Sequence, residues 1–160
     1  MTTATRRTLT FATLEDADRD AEMLLAQGYD KTGNWDIGQV CGHLTHWFNY
    51  PIDGFPRTPL LLRPMFWIFR NTIAPRMLNQ ALASGSTKSG IPTIPASVPQ
   101  PGDDAAKAVR RFQEAIVRWQ KYDGPIQASP LFGSRSKLDW SKMHLMHCAH
   151  HLGFLVPKAG

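Results

Sequence analysis

The residues of this chain best suited to chemistry are its histidines, four of which fall within eight positions: His144, His147, His150 and His151. On a helix of 3.6 residues per turn, His147 and His151 lie one turn apart, so their rings stack along one side and can grip a single divalent ion. His144 shares that face with them, together with Cys148, Phe154 and Leu155, whereas His150 points further round. Two imidazoles leave the coordination sphere open, and a third is sought on the other histidine-bearing segment. There Ile37, Val40, Leu44 and Trp47 form an apolar arc; His43 sits at its edge beside Gln39 and Tyr50, and His46 turns further toward solvent. Three neutral imidazoles from His43, His147 and His151 leave positions for water or substrate, the arrangement of a catalytic site rather than a closed structural one. The competing reading is a polar network, since a buried imidazole without a partner costs about 1–3 kcal/mol. Position 148 is Cys where a zinc protease would need Glu, which argues against that activity.

These side chains need helices to place them. Thr13 followed by Glu15 and Asp16 reads as an N-cap with acids in the first turn, and Leu14, Ala17, Ala21, Leu24 and Leu25 follow at helical spacing until Gly28. Asp36 caps a second helix, expected to stop near Tyr50 because Pro51 follows. A strongly apolar third helix is expected from Pro64 to about Leu82, kinked or divided at Pro75. The proline-rich stretch from Ser84 to Gly102 reads as a long irregular connection, and loops of that length often line a site. Asp103 and Asp104 begin a fourth helix reaching about Tyr122, and Ser136 or Asp139 caps a last one from Trp140 to about Leu155, ended by Pro157. Long helices with almost no strand signal predict an all-α bundle forming a single domain over residues 1–160.

A chain of 160 residues that is 42% hydrophobic and 19% charged can bury a core. Cys41 and Cys148 give no disulfide framework and fit a reducing compartment. The first residues lack the apolar run of a secretory signal. The stretch Pro59 to Ile68, interrupted by Arg63 and Pro64, is well short of the roughly 20 residues a membrane span needs, so a cytoplasmic protein with no membrane partner is expected. The net charge of +5 is spread over separated residues such as Arg57, Arg63, Arg70 and Arg76. Lys107, Arg110 and Arg111 cluster beside Glu114 as on a solvated helix face, and no nucleic-acid motif accompanies them. No nucleic-acid partner is expected; the charge suits small anions instead.

Three segments together carry a family resemblance: Gly33-Asn-Trp followed by Gly38-Gln39 and Gly42-His43-Leu44, then Ile52-Asp-Gly-Phe-Pro56, then His144 to Leu155 with its His147 and His151 pair. They resemble an uncharacterised bacterial branch of the DinB-like superfamily, over nearly the whole chain from about Arg7 to Pro157. The resemblance implies an up-down-down-up four-helix bundle with a long irregular loop, and a divalent ion, nickel or zinc, on three histidines. By position those are His43, His147 and His151, which leaves His46, His144 and His150 outside the ligand set. It further implies thiol chemistry with a small cofactor thiol such as mycothiol, bacillithiol or glutathione.

The leading functional expectation is a metal-dependent thiol S-transferase acting on a small-molecule thiol and an electrophile, or a related metal-dependent hydrolase. Tyr50, His46 and His144 are candidates for moving a proton, Gln39 or Asp53 for orienting a ligand imidazole, and Arg57, Arg63 and Arg135 for holding a substrate carboxylate. The alternative is a non-catalytic metal-binding or stress-related protein, with the apolar third helix as the surface of a homodimer. A third reading makes Cys148 a nucleophile activated by His144 or His151.

Overall fold

The structure, a computed structural model, describes residues 5–84, 97–99, 101–102 and 104–158. In chain order the elements are α1 (Leu14–Gln27), β1 (Tyr29–Lys31), α2 (Ile37–Asp53), a 3-10 turn (Leu60–Leu62), α3 (Arg63–Thr72), α4 (Ala74–Ser84), α5 (Ala105–Lys121), α6 (Lys137–Leu152) and β2 (Leu155–Pro157). The fold is an all-α bundle. Its body is α1, α2, α5 and α6, with α2 packed chiefly on α5, α1 on both α5 and α6, and α6 also on α2. Among the described residues no helix is long and apolar enough to cross a membrane.

Each helix starts where polar side chains satisfy its free N–H groups. Thr13 and Asp16 form a capping box on α1, and Asp36 and Gln39 form one on α2. Asp104 caps α5 and Ser136 caps α6, which resolves the choice between Ser136 and Asp139 in favour of the former. The core follows from one face of each helix. On α5, Ala108, Val109, Phe112, Ala115, Ile116 and Trp119 are buried, and the Phe112 ring meets Phe48 of α2 edge-on at 5.9 Å.

Two boundaries differ from expectation, those of α2 and α6. α2 passes through Pro51 and ends at Asp53. A proline in the last turn forfeits a single intrahelical bond. The helix then closes at Gly54, whose φ of +106° is left-handed and whose N–H reaches the Tyr50 carbonyl. The third helix is divided at Pro75, as expected, into α3 and α4, with Pro75 in the first turn of α4, where its missing N–H is not needed. α6 starts at Lys137, three residues before Trp140, and ends at Leu152. Residues 155–157 instead pair antiparallel with 29–31, Asp30 opposite Val156. Gly153 permits this exit, because a Cβ there would lie 2.8 Å from the Arg7 carbonyl. Arg7 in turn grips Asp20 of α1 through two 2.8 Å hydrogen bonds and donates to the Leu152 carbonyl at 3.1 Å. The end of α6 is thereby tied to α1. The expected irregular connection from Ser84 to Gly102 lies outside the described residues, except at 84, 97–99 and 101–102.

α3 departs most from a core helix. It has no buried residue, Met65 being 55% and Ile68 54% exposed, and Leu61 in the turn before it is 94% exposed. Phe112→Ala, at a fully buried site, is expected to cost about 3–5 kcal/mol in urea unfolding. Ile68→Ser should change stability by no more than about 0.5 kcal/mol. Comparable losses at both positions would show that α3 is packed in the folded protein.

Candidate metal centre

His147 and His151 project from the same side of α6, one turn apart, and His43 meets them from α2. The Nε2 atoms converge: His43 and His147 are 3.1 Å apart, and His147 and His151 are 2.9 Å apart. All three ligand atoms lie within 4.8 Å of one another. His43 is buried, with 1% exposure, whereas His147 and His151 are half-buried, so the cluster keeps one open side.

The protonation of this cluster can be derived. His43 Nδ1 is 2.8 Å from the Ser97 backbone carbonyl, a group that only accepts. The imidazole proton of neutral His43 therefore resides on Nδ1, and its Nε2 presents a lone pair. His147 Nε2 faces that lone pair on one side and His151 Nε2 on the other. One N–H can point along only one of these contacts. That N–H therefore leaves the other contact without it, and a cation at the centre can satisfy the nitrogens that present lone pairs. Metal–imidazole bonds of about 2.0–2.1 Å place neighbouring nitrogens roughly 3 Å apart, and the observed separations match that requirement. The group can hold a metal ion.

Burial keeps these histidines neutral and thus competent as ligands. It pulls His43 down to about 4, against which the Ser97 carbonyl acts weakly. Burial likewise pulls His151 down to about 2, with His43 adding to the effect, and lowers His147 well below the usual imidazole range.

Aromatic rings frame the cluster. Trp35 stacks on His151 at 5.4 Å and 12°, and tilts against His43 at 5.0 Å. Trp47 meets His147 edge-on at 5.2 Å, and its buried indole N–H has no partner among the described residues, leaving a donor beside the cluster. In the sequence Trp35 stands only within the Gly33-Asn-Trp segment of the resemblance, and Trp47 only in the apolar arc of α2. The pairing of β1 with β2 places Trp35: Thr32, just after β1, donates to the Phe154 carbonyl at 2.8 Å through its N–H and at 3.0 Å through its hydroxyl. The segment bearing Trp35 is thus fixed to the chain just beyond His151. The Ser97 carbonyl was also missed as a named group, although its parent connection had been singled out by length.

Other expected residues are placed elsewhere. His144 turns into the core, fully buried, stacked on Phe48 at 4.0 Å and set edge-on to Trp119 at 4.8 Å. Among the described residues its Nε2 has no partner, and burial pulls its pKa down to about 3, so it stays neutral near pH 7 with its ring among core aromatics rather than in the cluster. His46 is exposed and stacks on Tyr50 at 6.0 Å; Tyr50 is buried, and burial raises its phenol. Gln39 is spent in the α2 capping box, and Asp53 is held by Arg118 through bonds of 2.6 and 2.7 Å, so neither orients a ligand ring. The Ser97 carbonyl has that part for His43. Arg57 and Arg63 are exposed, and Arg135 donates to the Phe132 carbonyl at 2.9 Å; no hydrogen bond or ion pair joins any of the three to the histidines. Cys148 is fully buried and desolvation drives its thiol far above the usual range, while Cys41 is pushed up to about 12. Burial thus disfavours Cys148 as a nucleophile, because it opposes the thiolate that a nucleophile needs.

His144 generates a pH test. Its folded pKa lies below its unfolded value of about 6.5, so the unfolded chain takes up the proton first. Its contribution to stability is complete above pH 6.5 and is lost as pH falls from there toward 3. At pH 4.5 that loss is about 2–3 kcal/mol. His144→Phe, which keeps a ring against Phe48, should lose that much less stability than the parent between pH 7.5 and 4.5 in urea unfolding. Parallel losses in the two proteins would contradict the assignment.

Comparison with known proteins places the whole of this architecture in one group. The chain matches, over residues 3–158, the family model described as "Protein of unknown function (DUF1569)". No curated protein and no solved structure matches it. With the match running from the segment ahead of α1 to the end of β2, and so through all three clustered histidines, the chain belongs to the DUF1569 family.

Proposed function

We propose that this protein is a metal-dependent enzyme of DinB-like type, a thiol S-transferase whose nickel or zinc ion is held by His43, His147 and His151. The observation that carries the reading is the convergence of three Nε2 atoms at 2.9 and 3.1 Å with the His43 tautomer set by the Ser97 carbonyl. A divalent ion on such a site lowers the pKa of a thiol or water that reaches its open positions.

The chain's own groups then bind, orient and shield. His43 is held by Ser97, and Trp35 braces His151 by stacking, which limits the rotation of both rings. Trp35 and Trp47 give the half-buried side apolar walls that exclude water, and the Trp47 N–H offers one hydrogen bond to an acceptor entering there. Neither cysteine can serve as nucleophile, since both are buried with raised thiol pKa values. With both cysteines set aside, an external thiol is favoured over a cysteinyl enzyme intermediate.

A second reading, a non-catalytic metal-binding protein that dimerises, is favoured by the exposed apolar residues Leu60, Leu61, Met65 and Ile68. Size measurement beside the activity assays separates the two.

Elemental analysis of protein purified without a histidine tag should find about one nickel or zinc per chain, and less than a tenth of that in the His147→Ala/His151→Ala variant. A parent that stays metal-free after reconstitution would sink the proposal. With a chromogenic aryl halide, one of glutathione, mycothiol or bacillithiol should be conjugated. Chelation or the double variant should lower the rate at least 100-fold, the order expected when a group acting on the nucleophile is removed. Cys148→Ser should retain activity. Chelator-sensitive ester hydrolysis without conjugation would instead mark a hydrolase.

A further inference from the structure

A second site lies away from the histidines, under α3. Here the loop that leaves α2, one side of α3 and the chain around Gln127 line an open pocket of about 490 Å³, within the range that small organic ligands occupy. Phe55, Phe66 and Trp67 supply its apolar walls, and Arg63, Arg70 and Gln127 its polar groups. The Phe55 ring is itself fixed against Tyr50 at 5.6 Å and Trp140 at 5.8 Å, so one wall is anchored to the bundle.

The arginines set the sign of the ligand. Arg63 and Arg70 are seven residues apart on α3, two helical turns, and so project on the same side. Among the described residues neither makes a hydrogen bond or ion pair, in contrast to Arg7, Arg19 and Arg118, each of which has a carboxylate partner. The sequence deprives them of one locally. From Gly54 to Gly102 there is no Asp or Glu, while Arg57, Arg63, Arg70, Arg76 and Lys88 all fall in this interval. The whole net charge of +5 therefore arises from this segment, and the rest of the chain is balanced. The charges that look scattered along the sequence form one acid-free block.

We infer that this pocket binds an organic oxyanion carried on an apolar body, its charged end bridged by Arg63 and Arg70 and its body against Phe55, Phe66 and Trp67. Guanidinium groups match planar carboxylates and phosphoryl oxygens through paired N–H donors, and the aromatic walls take up the apolar remainder. Gln127 provides a neutral donor that completes the recognition without adding charge. The site does not depend on the histidines holding a metal.

Calorimetric titration at low salt with 2-naphthoate, 2-naphthyl phosphate and the uncharged 2-naphthol tests this directly, since the three share one apolar body. Saturable binding at one site per chain is expected for an anionic probe, with 2-naphthol at least tenfold weaker. The tighter of the two anions identifies the head group as carboxylate or phosphoryl. Arg63→Gln and Arg70→Gln should each weaken the anion at least tenfold, and Arg57→Gln, outside the pocket lining, less than twofold. Because α3 buries no residue, these variants should keep the parent's unfolding midpoint, which separates lost binding from lost folding. The His147→Ala/His151→Ala protein should bind the anion like the parent, so failure of the metal proposal is distinguishable from failure here. Equal affinity for 2-naphthol, unchanged binding in both α3 variants, or no saturable binding of any probe would overturn the inference.

Discussion

The candidate centre depends on one hydrogen bond, from His43 Nδ1 to the Ser97 carbonyl. Without it, a buried imidazole could present either tautomer toward α6, and half of that choice would put an N–H where a lone pair is required. A backbone carbonyl cannot donate, so the bond removes the choice. It also costs little to maintain, because the Ser97 carbonyl would itself need a donor where it is buried. The remaining features act on the other two histidines: α6 spaces them by one turn, Trp35 braces the second, and the small sheet holds Trp35 in place. Ligand orientation is thus distributed over contacts far apart in sequence, from residue 32 to residue 154.

That distribution decides what the sequence could reveal. The pair His147 and His151 is visible because helical geometry is local and its period is fixed. His43 is visible because the apolar arc of α2 points it toward the core edge while leaving His46 in solvent, as the structure has it. His144 illustrates the limit. By angle it belongs with the pair, yet one turn earlier along α6 the neighbours change to Phe48, Trp119 and Trp140, and its ring is enclosed by them. A helical wheel contains angle but not height along the axis, so it cannot separate a site from the core beneath it. The roles of Trp35 and the Ser97 carbonyl rest on tertiary contacts with no periodic signature.

The helix boundaries show the same division. Caps at Thr13, Asp36 and Asp104 are read from single residues because the chemistry is local. Pro51 misleads because its penalty depends on position within the helix, and only the structure shows that it falls in the final turn. At the far end of α6, helical spacing continues through Leu155, but that residue is already in a strand. Pairing with residues 29–31 and the grip of Arg7 on the Leu152 and Gly153 carbonyls outweigh local propensity there.

The clustered histidines also bear on stability. Three neutral imidazoles whose nitrogens crowd one point in a half-buried setting disfavour the folded chain relative to an unfolded one in which each ring is hydrated. Such an arrangement persists only if the surrounding core supplies the difference, and here it does: Trp119, Trp140, Phe48 and Phe112 are essentially fully buried on the helices that carry or support the cluster. A cation that binds the folded state alone would return that free energy and add to it, by an amount set by its concentration relative to its dissociation constant. The bundle is accordingly divided in two. Its apolar end, around His144, fixes the helices, and the end bearing His43, His147 and His151 holds unsatisfied lone pairs in a fixed geometry, which is the preorganisation a metal site requires.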